Sequence, residues 1–157
     1  MRCGIGYDIH RLTEGRALIL GGVKIDYALG LAGHSDADVL LHAVTDALLG
    51  AAGLGDIGEH FPDTDPAFKD ADSAELTGQV VRRIRELGFT IENLDTIIVA
   101  EKPKLAGYKS QIRGSLARIL ETPPARVNVK AKTTEGLGPI GEGRGIAAWA
   151  AVTLDRK

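Results

Sequence analysis

The sequence predicts an α/β domain of the α+β kind, a layered structure with a mixed sheet covered by helices on one side, and three observations lead to it. Short apolar runs with strand-like spacing recur along the chain. Longer segments with apolar residues three and four apart alternate with them. Read in order, they give three strands, two helices, a strand, a helix and two strands. At 157 residues the chain is the size of one domain, residues 1–157, with enough core to need no disulfide or metal staple.

Arg2 to His10 reads as the first strand. Ala17-Leu-Ile-Leu and Val23-Lys-Ile-Asp flank Gly21-Gly22, a hairpin whose diglycine supplies positive φ. Asp38 followed by apolar residues at 40, 41, 44, 47, 48 and 51 predicts a helix ending near Gly53, with Asp38 as N-cap. Gly55 to Asp72 is broken by glycine and proline and rich in aspartate, so it reads as a long loop, a feature commonly functional. Asp72 with Glu75 resembles a capping box, and Leu76, Val80, Ile84 and Leu87 carry a second helix to a stop at Gly88, with Arg82, Arg83 and Arg85 on its solvated face. Ile97 to Ala100 reads as a buried strand, Leu105 to Leu120 as the third helix, Val127 to Lys132 as a half-buried strand, and Ile146 to Leu154 as a final strand of small residues.

Composition narrows the function classes. The chain is 44% hydrophobic and 25% charged, which excludes disorder and fibrous repeats. Nineteen Lys and Arg against 21 Asp and Glu leave a net charge of -2, so neither nucleic acid nor a membrane surface is expected as partner, and any phosphate site must be local. Cys3 is the single cysteine and cannot form an intramolecular disulfide, which fits a reducing compartment; it is expected to be buried in the first strand. The apolar stretch from Val39 to Leu54 is interrupted by His42, Thr45 and Asp46 and is too polar to span a bilayer. No targeting peptide is visible, so a cytoplasmic location is expected.

Asp8 and His10 stand at i and i+2, so on a strand they share one face with Cα atoms about 7 Å apart, close enough to ligate one metal. His42, which interrupts an otherwise apolar helix, is either a packed or solvated helix residue or the third ligand, in which case one carboxylate and two imidazoles make a zinc set with an open fourth position. Asp46 lies one turn further on, either supporting the second imidazole nitrogen or simply exposed. The segment His34-Ser-Asp-Ala-Asp38 is either a phosphate site at a helix N-terminus or a plain aspartate cap. Gly55-Asp-Ile-Gly58 and Phe61-Pro-Asp-Thr-Asp65 offer polyol contacts or Asx turns. Thr133-Thr-Glu135 at a strand end suits phosphate oxygens and a hard cation. The glycines after it make neither a dinucleotide fingerprint nor a P-loop, and no nucleophilic triad stands out.

Together, Gly6-Tyr-Asp-Ile-His10, Gly33-His-Ser-Asp-Ala-Asp38, His42-Ala-Val-Thr-Asp-Ala-Leu-Leu-Gly50, Gly55-Asp-Ile-Gly58, Phe61-Pro-Asp-Thr-Asp-Pro66 and Lys130-Ala-Lys-Thr-Thr-Glu135 resemble the 2-C-methyl-D-erythritol 2,4-cyclodiphosphate synthase family, in family order over nearly the whole chain. The resemblance implies a lyase of isoprenoid precursor synthesis. It would turn 4-diphosphocytidyl-2-C-methyl-D-erythritol 2-phosphate into the cyclic diphosphate and CMP. It also implies a homotrimer, its sheets facing the trimer interior and its active sites between subunits.

By position, the resemblance makes Asp8, His10 and His42 zinc ligands and Glu135 the holder of Mg²⁺ or Mn²⁺ against the diphosphate. It gives His34 and Thr133 transition-state stabilisation and Ser35 a phosphate contact. Asp56, Ile57 and Gly58 would contact the methylerythritol, with Phe61, Pro62, Asp63, Thr64 and Asp65 as a flap. Ala100, Pro103, Lys104, Leu105, Ala106, Ala131, Lys132 and Thr134 would hold cytidine diphosphate, with Asp46 behind the metal. Two departures stand out. Gly33 and Ala37 exchange the alanine and glycine of familiar members, which should alter backbone freedom without removing a ligand. Glu142-Gly143-Arg144 reverses a family order whose arginine is associated with an isoprenoid diphosphate cavity on the trimer axis, so the resemblance leaves anion binding there open. The alternatives are a zinc phosphoesterase and a non-catalytic sensor of cytidine nucleotide or isoprenoid diphosphate.

Overall fold

The computed structural model describes residues 1–62, 64–68 and 71–156. Its main sheet has the order β4-β1-β7-β5-β6, formed by β1 (Arg2–Thr13), β4 (Gly30–Leu31), β5 (Phe89–Val99), β6 (Val127–Lys132) and β7 (Gly145–Arg156). β5 and β6 are parallel and the other pairs antiparallel, so the sheet is mixed. β2 (Leu18–Leu20) and β3 (Val23–Ile25) form a separate hairpin, with Gly21 and Gly22 at φ 61° and 74° as the diglycine requires. Three longer helices, α1 (Val39–Ala52), α3 (Ser73–Glu86) and α4 (Lys109–Ile119), pack against the sheet, and α2 (Ile57–His60) and α5 (Gly138–Gly141) are single turns.

Glycine decides how closely the central helix approaches. Side chains alternate along β1, and those at 4, 6, 8 and 10 share the helix-facing side. A Cβ at Gly4 would lie 2.1 Å from the Ala47 carbonyl oxygen, and one at Gly6 would lie 2.0 Å from that of Ala43. Both positions must be bare for α1 to rest its backbone on the strand. Ala43, Ala47 and Ala51 on α1 are small for the same reason, and all three are buried.

The other face of the sheet is apolar and open. It carries Ile5, 81% exposed, with Tyr7, Ile9 and Trp149; Tyr7 pairs with Trp149 across the strands, ring centroids 4.6 Å apart. Cys3 lies on this face and is exposed, which corrects the expectation of burial: alternation along β1 turns residue 3 to the side that no helix covers. Among the described residues no helix is long and apolar enough to cross a membrane.

Several elements escape the pattern. β5 begins at Phe89 rather than Ile97, because a bulge between Ile91 and Asn93 breaks its alternation and polar residues occupy its outer face. The stretch from Gly55 to Asp72 is no uninterrupted loop; it contains α2 and a 3₁₀ turn at Pro66–Phe68. α5 and the two-residue β4 are likewise too short to show periodicity. The third helix starts as a 3₁₀ turn at Ala106–Tyr108 before α4.

Asp38 fastens the hairpin to the helix. Its carboxylate accepts from the backbone N–H of Leu41 at 3.0 Å, Gly21 at 2.9 Å and Gly22 at 2.7 Å. Burial pushes its pKa up to about 6, against the pull of those three N–H groups and with the negative charge of Asp36 adding to the rise. A folded value above the ordinary 3.8 means that the folded chain binds this proton more tightly than the unfolded one. Ionised Asp38 therefore weakens the fold, and the penalty is relieved as pH falls from about 7 towards about 4. In urea melts the wild type is expected to gain stability relative to Asp38→Asn over that range. A difference that does not change with pH overturns the assignment.

Candidate metal centre and active site

Past the glycine notch, Asp8 and His10 on β1 meet His42 in the first half of α1. Asp8 Oδ2 lies 2.8 Å from His10 Nε2 and 2.9 Å from His42 Nδ1, and the two nitrogens are 3.1 Å apart. Burial works against the Asp8 anion, but hydrogen bonds from the two histidines outweigh it and hold the carboxyl well below its usual range. For His10 burial acts downward, yet the Asp8 carboxylate beside it raises its pKa.

The outer nitrogens show which atoms are left to bind. His10 Nδ1 donates to the Ala32 carbonyl at 2.6 Å, which turns Nε2 towards Asp8. His42 Nε2 lies 3.1 Å from Ser35 Oγ and 3.2 Å from Ser73 Oγ, which turns Nδ1 the same way. One oxygen and two nitrogen donors, all within 4.8 Å of one another and each ring oriented by an outer hydrogen bond, fit a divalent cation that accepts imidazole and carboxylate.

The triad lines one end of a cavity of about 460 Å³ with Gly33, His34, Ser35, Asp46, Ile57, Gly58, Phe61, Pro62, Phe68 and Leu76. His34 is exposed, while Ser35 is nearly buried and holds the Ala37 N–H at 3.1 Å. Asp38 caps the start of α1 beside them. Asp46 stands near enough to His42 to interact with its charge, and its carboxylate accepts the Ile57 N–H at 2.8 Å, which fixes α2 beside the cavity. Asp56 caps α2, accepting from Glu59 N–H at 3.0 Å. Thr64 and Asp65 are exposed on the turn leading to the 3₁₀ helix, and Asp63 lies outside the described residues.

A second group of expected residues meets elsewhere. Because β5 and β6 are parallel, their C-terminal ends are neighbours, and Ala100 N–H donates to the Lys132 carbonyl at 3.0 Å. Residues 100–106 and 131–135 therefore flank one crevice. Ala100 and Leu105 are buried in the core, whereas Lys102, Lys104 and Ala106 are exposed, and Pro103 follows a cis peptide bond. Thr133 Oγ1 donates to Glu135 Oε1 at 2.6 Å, while Glu135 sits at φ 53°. Asp8 and Ala131 fall in one row of the sheet, three strand spacings apart, about 14 Å. Within one chain, then, the triad and the Thr133–Glu135 crevice are separate.

A family model described as the YgbB family matches residues 1–155. The chain belongs to the YgbB family. The 2-C-methyl-D-erythritol 2,4-cyclodiphosphate synthase of Geobacillus kaustophilus (strain HTA426) is 60% identical over 155 residues, 99% of this chain and 98% of that one. That of Geotalea uraniireducens (strain Rf4) is 59% identical over the full length of both chains, 157 residues here. Among solved structures, the bifunctional IspDF from Campylobacter jejuni superposes with a TM-score of 0.96 at 47% identity; the match takes in 99% of this chain and 42% of that longer one. A 2C-methyl-D-erythritol-2,4-cyclodiphosphate synthase in its CDP-bound form gives 0.90 at 39% identity, over 98% of this chain and 100% of that one.

Gly33 and Ala37 compete for one small space. A Cβ at Gly33 would lie 2.8 Å from the Ala37 Cβ and 3.1 Å from His10 Cε1, so only one of positions 33 and 37 has room for a methyl. Exchanging the two residues conserves that volume. Ala37 accepts φ 58° in doing so. Gly33→Ala alone is expected to cost roughly 1–3 kcal/mol by crowding His10 and to weaken metal binding, with Ala37→Gly in the same chain restoring both. A double-mutant cycle read by melts and metal affinity checks this; additive losses sink the coupling. The other departure leaves Arg144 Nε paired with Glu142 at 2.8 Å, both well exposed.

Sequence reasoning missed Ser73 and Asp36. Ser73 Oγ donates a short hydrogen bond to Asp36 Oδ1, and Ser73 N–H donates to Asp36 Oδ2 at 3.2 Å. The available signal was Ser73 with Thr77, hydroxyls one turn apart on the buried face of an amphipathic helix.

Proposed function

We propose that this chain converts 4-diphosphocytidyl-2-C-methyl-D-erythritol 2-phosphate into 2-C-methyl-D-erythritol 2,4-cyclodiphosphate and CMP, as a cytoplasmic lyase of isoprenoid precursor synthesis. One observation carries the reading: Asp8, His10 and His42 converge on the wall of a cavity of about 460 Å³, in a chain 60% identical to a synthase of that name across 99% of its length. Residues 1–157 form the one synthase domain.

The attacking phosphate is already an anion near neutral pH, so no strong general base is needed. The protein's task is to fold the substrate back on itself and screen anion from anion. Holding the two groups adjacent can supply on the order of 7–11 kcal/mol of the barrier. His34 and Ser35 hold the phosphate at the cavity wall, and Asp56, Ile57, Gly58 and the 61–65 flap hold the methylerythritol. Zinc on the triad, and Mg²⁺ or Mn²⁺ on Glu135, would supply positive charge that polarises and neutralises the phosphoryl oxygens. Thr133 steadies the transferring group, while residues 100–106, Ala131, Lys132 and Thr134 bind the cytidine diphosphate. Thr134 Oγ1 is buried with no partner among the described residues, a group that benefits from a ligand.

The two halves of the site are joined in a homotrimer. Its interface is the sheet face of Ile5, Tyr7, Ile9 and Trp149, an apolar surface that a lone chain leaves in water. Stacking three such faces sets the triad of one subunit against the Thr133–Glu135 crevice of the next.

Phosphorus NMR of the protein with substrate, zinc and Mg²⁺ tests the reaction. A cyclic diphosphate appearing with CMP is expected. Linear phosphate would mean metal-assisted hydrolysis, and an unchanged spectrum from folded, zinc-loaded protein a binding module. Glu135→Gln keeps the acceptor for Thr133 but loses the charge, so its half-saturating Mg²⁺ is expected to rise about tenfold, roughly 1.4 kcal/mol. An unchanged Mg²⁺ dependence leaves Glu135 as a turn residue only.

A further inference from the structure

One partner of His42, Ser73, lies on a different element from the triad. Ser73 is the first residue of α3, 2% exposed, and its hydroxyl is 3.2 Å from His42 Nε2. Its proton is committed elsewhere: Ser73 Oγ donates to Asp36 Oδ1, and a carboxylate only accepts. The hydroxyl therefore offers its lone pair to His42 Nε2–H. Ser35 Oγ also lies 3.1 Å from His42 Nε2, but it receives the Ala37 N–H and stands 3.4 Å from Ser73 Oγ, so its own proton is free to point either way. On its own Ser35 does not define which nitrogen of His42 carries the proton.

We infer that Ser73 and Asp36 are positioning residues for the metal centre: the Asp36 carboxylate orients the Ser73 hydroxyl, which holds the proton of His42 on Nε2 and keeps the Nδ1 lone pair aimed at the cation. The inference rests on the reading of Asp8, His10 and His42 as a metal site. The same aspartate anchors the chain entering α3, since Asp36 N–H donates to the Ala71 carbonyl at 3.1 Å and Ser73 N–H to Asp36 Oδ2 at 3.2 Å. The end of the loop beside the cavity is thereby tied to the residue that orients the ligand. Partners behind a metal-bound histidine commonly alter affinity by about 10- to 100-fold.

The test is Zn²⁺ affinity of the metal-free protein by competition with a chromophoric chelator, together with the visible spectrum of the Co²⁺ form and melts of the metal-free protein. Ser73→Ala and Asp36→Asn are each expected to weaken Zn²⁺ binding about tenfold or more and to change the Co²⁺ bands. Thr77→Ala is the comparison. It removes a buried hydroxyl from the same helix, bonded to Thr45 at 2.9 Å, and is expected to lower the melting temperature without changing either metal signal. Ser73→Ala and Asp36→Asn binding Zn²⁺ as tightly as the wild type overturns the inference, and so does an equal loss in Thr77→Ala. A wild-type protein that binds no Zn²⁺ overturns the metal reading beneath it, a different result from either.

Discussion

His42→Ala is expected to lose zinc and nearly all turnover while the chain stays folded. The imidazole offers one of three candidate ligand atoms and approaches Asp8 Oδ2 at 2.9 Å, so truncation leaves two, both from β1. Two ligands on one strand hold a divalent ion far more weakly than three. Several kcal/mol of charge stabilisation at the phosphoryl oxygens goes with the ion, about a thousandfold or more in rate. The fold loses little, because the ring is polar and lines a cavity whose water can take its place beside Asp8, Ser35 and Ser73. A cost of about 1 kcal/mol would lower the melting temperature by only 2–4 °C in a chain of this size. Metal content by atomic emission, turnover by phosphorus NMR and a thermal melt read the three effects separately. Stoichiometric zinc together with turnover within tenfold of wild type would falsify the ligand assignment.

Gly6→Ala is expected to damage fold and metal centre together. Its new Cβ would stand 2.0 Å from the Ala43 carbonyl oxygen and 2.8 Å from Ala47 N, backbone atoms that yield only if α1 moves away from β1. Overpacking of this kind costs about 1–3 kcal/mol or more, a drop of roughly 3–10 °C here. Because His42 rides on α1 and its partners on β1, the same displacement opens the triad. Gly50→Ala separates this from a general effect of glycine in the helix: its Cβ meets nothing nearer than the Ile5 carbonyl oxygen at 4.0 Å. That variant is expected to be neutral or up to about 1 kcal/mol more stable, with unchanged zinc affinity. Gly6→Ala matching it in both melt and affinity would show that the notch is slack.

Both outcomes bear on why the site sits where it does. α1 is amphipathic only weakly, because nearly all of it is buried, and it lies against β1 and β7 with small residues at the contact. Close approach brings a ring on the helix within reach of a carboxylate on the strand. At an ordinary helix-to-sheet distance of about 10 Å a short aspartate and an imidazole would not share an ion.

Elements whose signals are local were legible in the chain. Asp38 as cap, Gly53 as stop, the diglycine hairpin and the strand from Arg2 each follow from a few adjacent residues, because capping, positive φ and alternation act over a turn or two of chain. The pairing of Asp8 with His10 was legible for the same reason, being one strand period. The addition of His42 needed the family's pattern of residues as well as its place on the helix. Only the tertiary structure decided what crosses between elements. Asp46 turned to the α2 backbone because the helix presents it to Ile57, while Ser73, 31 residues from His42 in sequence, arrived through the packing of α3 on α1. Cys3 is exposed because the sheet is covered on one face alone, and alternation along a strand does not say which face that will be. Gly33 and Ala37 divide one methyl's worth of space through a loop that folds back on itself, a constraint set by volume in three dimensions, which no periodicity in the chain encodes.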